Sequence, residues 1–122
     1  MSLEKRKEVL KMMAYGIYVV TSKSRQGISA STITWVSQAS MEPPLISICL
    51  KKDTFSYNII KSRKEFILHM VAIDQKDIAS KFFKIEKIDR DRINGKKYFL
   101  EADLPVFVDL PAYVKCEVLE IM

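Results

Sequence analysis

Ile17-Tyr18-Val19-Val20-Thr21-Ser22-Lys23-Ser24-Arg25-Gln26-Gly27-Ile28 is the stretch that sets the fold class of this 122-residue chain. Its first five residues are β-branched or aromatic, side chains that suit a pleated, half-buried surface. The polar run from Ser22 to Gly27 has the chemistry of a reversal. A strand, a hairpin turn and a return strand beginning at Ile28 are therefore expected.

Upstream, Leu3, Leu10, Met13 and Ala14 lie among lysines and glutamates, which reads as an amphipathic surface helix ended by Gly16. Downstream, Ser29 to Ser40 mixes polar and apolar residues and reads as a strand that turns irregular before Met41-Glu42-Pro43-Pro44. The two prolines exclude helix and central-strand pairing there. Leu45 to Leu50 is expected to be a buried strand. Lys51-Lys52-Asp53-Thr54 introduces a short helix from Phe55 to Lys61, with Asp53 or Thr54 available to cap its first amides. Glu65 to Ile73 resumes as a strand, and Asp74 or Asp77 can cap a second helix through Ile78, Ala79, Phe82 and Phe83. Asn94-Gly95 marks a turn inside the polar Asp89 to Lys97 segment. Leu104 to Val108 and Ala112 to Leu119 are further strands. With no repeat, low-complexity tract or linker, residues 1–122 read as a single domain. Strands dominate and helices connect, so the expected fold is mainly β, a barrel with short peripheral helices.

Composition narrows the chemistry. At this length one core is affordable and a second catalytic domain has no room. No run approaches the ~18 apolar residues of a membrane span, and the charged amino terminus lacks a signal-peptide pattern. Cys49 and Cys116 sit in apolar runs and are expected as reduced thiols, which together imply a cytoplasmic setting. The net charge of +5 permits anionic partners, but lysines alternate with acids, as in Lys84-Ile85-Glu86-Lys87, so a solvated surface is favoured and nucleic acid is an unfavoured partner. With only Gly16, Gly27 and Gly95, neither a dinucleotide fingerprint nor a phosphate loop can be written. His69 is the sole histidine, so no metal site is expected.

Two segments carry candidate binding chemistry. Thr32, Thr34 and Ser37 place hydroxyls where a core strand is expected, which suits either a wet barrel face or the hydrogen-bonding edge of a planar ligand. Lys51 to Ser56 opens a helix, so free amides, lysine charge and the hydroxyls of Thr54 and Ser56 serve equally for ordinary capping or for a phosphate. Trp35 reads as core packing, a dimer contact or a stacking ring. His69, inside the apolar run Phe66 to Ile73, reads as a core or cleft-lining histidine, or as a group beside a bound ring.

In order, Ala14-Tyr15-Gly16-Ile17-Tyr18-Val19-Val20-Thr21, Thr32-Ile33-Thr34-Trp35-Val36-Ser37-Gln38-Ala39-Ser40, Glu42-Pro43-Pro44-Leu45-Ile46 and Ile48-Cys49-Leu50 resemble the flavin reductase-like, FMN-binding split-barrel family. The resemblance continues through Ser56, Phe66 to Val71, Asp74-Gln75, Lys81-Phe82, Leu104-Pro105-Val106 and Ala112 to Val118. Within the family it is most similar to the flavin-reductase domains associated with rubredoxins and flavodiiron-type proteins. It implies a Greek-key split barrel, a homodimer, and bound FMN, with FAD as the alternative. It also implies hydride transfer from NAD(P)H to flavin, with electrons passing to free flavin or a small redox protein. The catalytic group is then the flavin itself. By position, Thr32, Ile33, Thr34, Trp35 and Val36 would contact the ring edge and ribityl chain, while Cys49, Leu50, Lys51 and Ser56 would lie near the phosphate end. His69 stands where relatives often carry asparagine, near the ring. The family usually continues past the Cys116-Glu117-Val118 strand, so truncated carboxyl-terminal strands are expected, and a flavin-binding or electron-transfer module without NAD(P)H turnover is the alternative function.

Overall fold

A computed structural model of the chain describes residues 1–13, 16–85 and 87–122. The opening hairpin is present and longer than its sequence implies: β1 (Tyr18–Ser24) pairs antiparallel with β2 (Gly27–Ile33) from Tyr18↔Ile33 down to Ser24↔Gly27. Only Arg25 and Gln26 remain in the loop, because Ser24 Oγ accepts the Gln26 amide at 3.1 Å and Gly27 supplies the positive φ of 134° that the reversal needs. Return pairing thus begins at Gly27 rather than Ile28.

Before it, α1 (Leu3–Lys11) is capped by Ser2, whose hydroxyl accepts the Lys5 amide, and buries none of its residues. Ala14 and Tyr15, at the expected end of that helix, lie outside the described residues. After β2 the chain breaks at Thr34 and Trp35 and forms a separate hairpin, β3 (Val36–Ser40) and β4 (Leu45–Ile48). The expectation of a buried strand at Leu45 to Leu50 is corrected here. In this two-stranded sheet only one side meets the core, so Val36, Ile48 and Leu50 are half-buried while Ile46 and Ser47 are exposed.

Helix α2 (Phe55–Arg63) takes Thr54 as its cap, which decides between the two candidates, and ends at Lys64 in the left-handed region. Strand β5 (Glu65–Met70) follows and stops before Val71. A short 3-10 turn, Ile73–Gln75, then leads into α3 (Lys76–Ser80). Neither Asp74 nor Asp77 caps it: the Gln75 side chain accepts the Ala72 amide instead, and the helix ends before Phe82 and Phe83. The polar segment forms β6 (Ile88–Asp89) and β7 (Arg92–Ile93), followed by β8 (Lys96–Glu101), β9 (Leu104–Phe107) and β10 (Ala112–Glu117).

Three antiparallel sheets result, with strand orders β10-β5-β1-β2, β3-β4 and β6-β7-β8-β9. Alternation along the first sheet divides the core. Val20, Phe66 and Leu68 face α2 and its Ile60, joined by half-buried Val36, Ile48 and Leu50. On the opposite face Val19 and Ala30 meet Phe82, Ile93 and Phe107, and Ile67 meets Leu104 and Val106. Neighbouring strands that are distant in sequence, β5 beside β1 and β10 beside β5, give the mainly-β split-barrel arrangement. No helix among the described residues is long and apolar enough to cross a membrane.

Candidate functional site

The break between β2 and β3 lies beside the end of β4. The Cys49 amide donates to the Trp35 carbonyl at 3.0 Å and Val36 is paired with Ile48, so residues 32–36 and 49–51 form one continuous wall. Within it, Ile33, Val36 and Leu50 pack inward on the Val20 and Leu68 face. Thr34, Cys49 and Lys51 are exposed, and Trp35 keeps 57% of its surface in solvent. This exposure removes core packing from the readings of Trp35. The Cys49 thiol is free; so is that of Cys116, whose pKa burial pushes up.

Alternation separates the hydroxyls. Ser31 points toward α2 and hydrogen-bonds the buried Ser56 hydroxyl. Thr32, one residue on, points to the other face, where its hydroxyl donates to the Ala79 carbonyl and its amide donates to the Phe82 carbonyl at 3.0 Å. Thr32 therefore clamps α3 and the turn after it. Ser37 is exposed and its hydroxyl lies 3.4 Å from the Gln38 carbonyl.

At the α2 terminus, Thr54 Oγ1 donates to the Lys51 carbonyl at 2.7 Å and accepts the Tyr57 amide at 3.3 Å. Phe55 and Ser56, in the first turn, have no intrahelical acceptor for their amides and lie at the positive end of the helix dipole. Next to them a cavity of about 600 Å³ opens between Gly27, Ser31, Thr54, Ser56 and the apolar side chains of Phe55 and Phe83. That volume lies within the about 300–1,000 Å³ of small-molecule sites. Phe83 emerges here as a wall residue the sequence reading did not single out, beside Ser31 at the head of the hydroxyl-rich stretch. The sequence position of Phe83 reads as helix core, but α3 ends before it.

His69 stands apart from this wall. It is fully buried, with Nδ1 2.9 Å from the Val19 carbonyl and Nε2 accepting the Phe107 amide at 3.1 Å. A ring nitrogen that accepts an amide proton cannot carry one, so the proton sits on Nδ1 and the imidazole is neutral. Burial lowers its pKa to about 4 against the opposing effect of the Val19 carbonyl. Both nitrogens are spent on joining β1, β5 and β9, the core-histidine alternative of the two readings.

A profile of the flavin reductase like domain matches residues 10–122. The chain belongs to that family. Among its relatives, diflavin flavoprotein A 1 of Synechocystis sp. is 30% identical over 84% of this chain and 18% of its own length. A probable flavin reductase of Rhizobium meliloti is 29% identical over 89% of this chain and 35% of its own. This family member thus spans about a third or less of those two relatives. In three dimensions it superposes on the NADH:FAD oxidoreductase of Streptomyces globisporus with a TM-score of 0.82 at 19% identity, covering 98% of this chain and 74% of that one. A flavin reductase fold is what that likeness shows.

Proposed function

We propose that this flavin reductase-like chain binds a flavin nucleotide along the wall from Thr32 to Val36, with its phosphate at Lys51 to Ser56, and accepts hydride there from NADH or NADPH. The observation carrying this reading is the cavity at the α2 terminus. Anion-directed groups line it, namely the Phe55 and Ser56 amides and the paired Ser31 and Ser56 hydroxyls, and the exposed Lys51 lies just before the helix in sequence. That donor set fits a phosphate.

Bound flavin supplies the redox chemistry, taking two electrons and a proton as hydride. The chain's own contribution is orientation. Trp35, already exposed, offers a face for stacking beside the ring, and the main chain at the β2–β3 break has amides and carbonyls free of the long strand ladders. Ile33 and Val36 back the wall with apolar packing that fixes its position. No protein nucleophile is needed, and hydride transfer relies on holding two rings in contact.

Electrons then leave to free flavin or a small redox protein. A second copy of the chain, covering the exposed Trp35 and Ile46, completes the site. The alternative reading, a flavin-binding electron-transfer module, draws on His69, since the one imidazole in the chain has no nitrogen left to move a proton at the ring.

Fluorescence of the sole tryptophan tests the binding step: FMN should quench Trp35 saturably and yield a yellow protein. No quenching and no retained colour would overturn the reading. Stopped-flow mixing of the loaded protein with NADH or NADPH then separates the two functions, because bleaching of the oxidised flavin's visible band follows only if hydride is accepted.

A further inference from the structure

The cavity beside α2 is also a gap along one edge of the main sheet. Strand β2 is the last in the order β10-β5-β1-β2, so one side of its main chain has no neighbouring strand. Two observations fix which residues face that side. Ser24 and Gly27 close a two-residue loop and form a bonded pair, and bonded and unbonded pairs alternate along an antiparallel ladder. Ser29 and Ser31 consequently bond to β1, whereas Ile28, Ala30 and Thr32 turn their amides and carbonyls outward. Thr32 shows the same phase directly, because its amide donates to the Phe82 carbonyl at 3.0 Å.

That contact is the first rung of a ladder that goes no further. Past Phe82 the chain turns away, and among the described residues nothing pairs with the outward groups of Ala30 and Ile28. The cavity of about 600 Å³ lies there, with Ile28 and Ala30 in its wall, Phe55 and Ser56 on the α2 flank, and Phe83 and Ile88 on the other. Its stretch of β2, Gly27 to Ser31, is about 14 Å long at the rise of an extended strand. Lys84 is the one charged side chain among the described residues that line it, and the first amides of α2 add the positive end of a helix dipole.

We propose that this groove takes an extended acidic peptide segment of a partner protein, which adds to β2 as a further strand. An edge with unpaired amides and carbonyls is a template for such addition. Main-chain bonds then give affinity, and alternate side chains give specificity. Successive side chains of the added strand point to opposite flanks, so apolar ones reach Phe83 and Ile88 while carboxylates meet the α2 terminus. The same cavity receives the flavin phosphate in the reading above, on which one further consequence rests: peptide and FMN exclude each other, and the partner governs whether the site is filled.

The test measures fluorescence anisotropy of a labelled, end-capped peptide of alternating valine and glutamate, titrated with the whole chain. It should bind saturably, and its valine-lysine counterpart should bind about tenfold more weakly or worse. Methylating alternate peptide nitrogens reads the ladder itself. One phase should cost about tenfold or more and the other about twofold or less, since only one set of amides faces β2. Ala30→Pro removes an outward N–H without touching the β1–β2 ladder and should weaken the peptide about tenfold. Circular dichroism checks that this variant is folded, and the methylated peptides probe the same rungs on the unsubstituted chain. No saturable binding, or equal cost in both phases, would overturn the added strand and leave the flavin reading intact. FMN should displace the peptide; simultaneous binding of the two would overturn their exclusion. A chain that binds the peptide with phase dependence and takes up no FMN would overturn the flavin reading alone and keep the added strand.

Discussion

At His69 the charge state is a property of the fold. Both nitrogens are held by backbone groups of β1 and β9, so protonation must break the acceptor bond from Phe107. Because the folded pKa is depressed to about 4 from an ordinary 6.5, the stabilisation is complete above pH 6.5 and is lost as pH falls through 4. That window corresponds to about 3 kcal/mol. Urea unfolding at pH 7 and pH 4.5 should therefore differ strongly. In His69→Leu the histidine's share of that slope disappears, and stability at pH 7 drops by roughly 2–4 kcal/mol because the Phe107 amide and Val19 carbonyl are left buried and unpaired. An Nδ1-protonated signature in the ¹⁵N spectrum at pH 7 would confirm the tautomer. In the cavity beside α2, Ser56→Ala should weaken FMN by about tenfold and leave riboflavin unchanged, since a lost bond to a charged acceptor is worth about 1.5–3 kcal/mol. Equal losses for both ligands would remove the phosphate from that place.

Turn chemistry explains both what the sequence announced and what it concealed at the scale of elements. Asn94-Gly95 was legible because both residues take positive φ, 50° and 83°, as a two-residue primed hairpin turn requires. The β8–β9 turn uses the same geometry at Ala102 and Asp103, φ 50° and 63°, with residues that give no such signal. It is imposed from outside: Arg63 Nη2 donates to the Ala102 carbonyl at 2.8 Å, and Lys23 pairs with Asp103 at 2.8 Å. Tertiary contacts thus override local preference, which is why β8 went unread. Ala102→Gly should raise stability by about 0.5–1 kcal/mol in thermal or urea unfolding by relieving the left-handed alanine. Thr54→Ala should cost about 1 kcal/mol, as expected for a lost helix cap. The site divides similarly. The wall from Thr32 to Val36 and the Lys51 to Ser56 corner were visible as hydroxyls and a helix start. The cavity wall at Phe83 was not, because that ring read as helix core while α3 ends before it and leaves it exposed.

Across the whole molecule, apolar surface remains exposed on one strand of the main sheet. Strand β10 lies at the edge of the β10-β5-β1-β2 sheet with Tyr113 and Val114 40% and 46% exposed. An uncovered edge is a template for pairing, and its cover has to come from elsewhere. Charges at its end are settled locally: Glu65 pairs with Lys115 at 2.9 Å and Arg63 at 3.2 Å, which together hold its carboxyl below the ordinary range. Sedimentation velocity should show a dimer at micromolar concentration, with Trp35→Glu shifting the population toward monomer; a monomer that still binds FMN would separate association from the site. The family assignment needed the order of segments along most of the chain, since no single motif carries it.

The β3–β4 hairpin shares no strand ladder with either larger sheet among the described residues, and meets the main core on one side only. It is a wall on a two-residue hinge, Thr34 and Trp35. Its local opening free energy should sit well below that of β1 and β5. Ligand occupancy would then be recorded as protease resistance: cleavage at Lys51 or Lys52, next to the hairpin's exit, becomes a gauge of how often the wall swings free, and a bound cofactor should slow it.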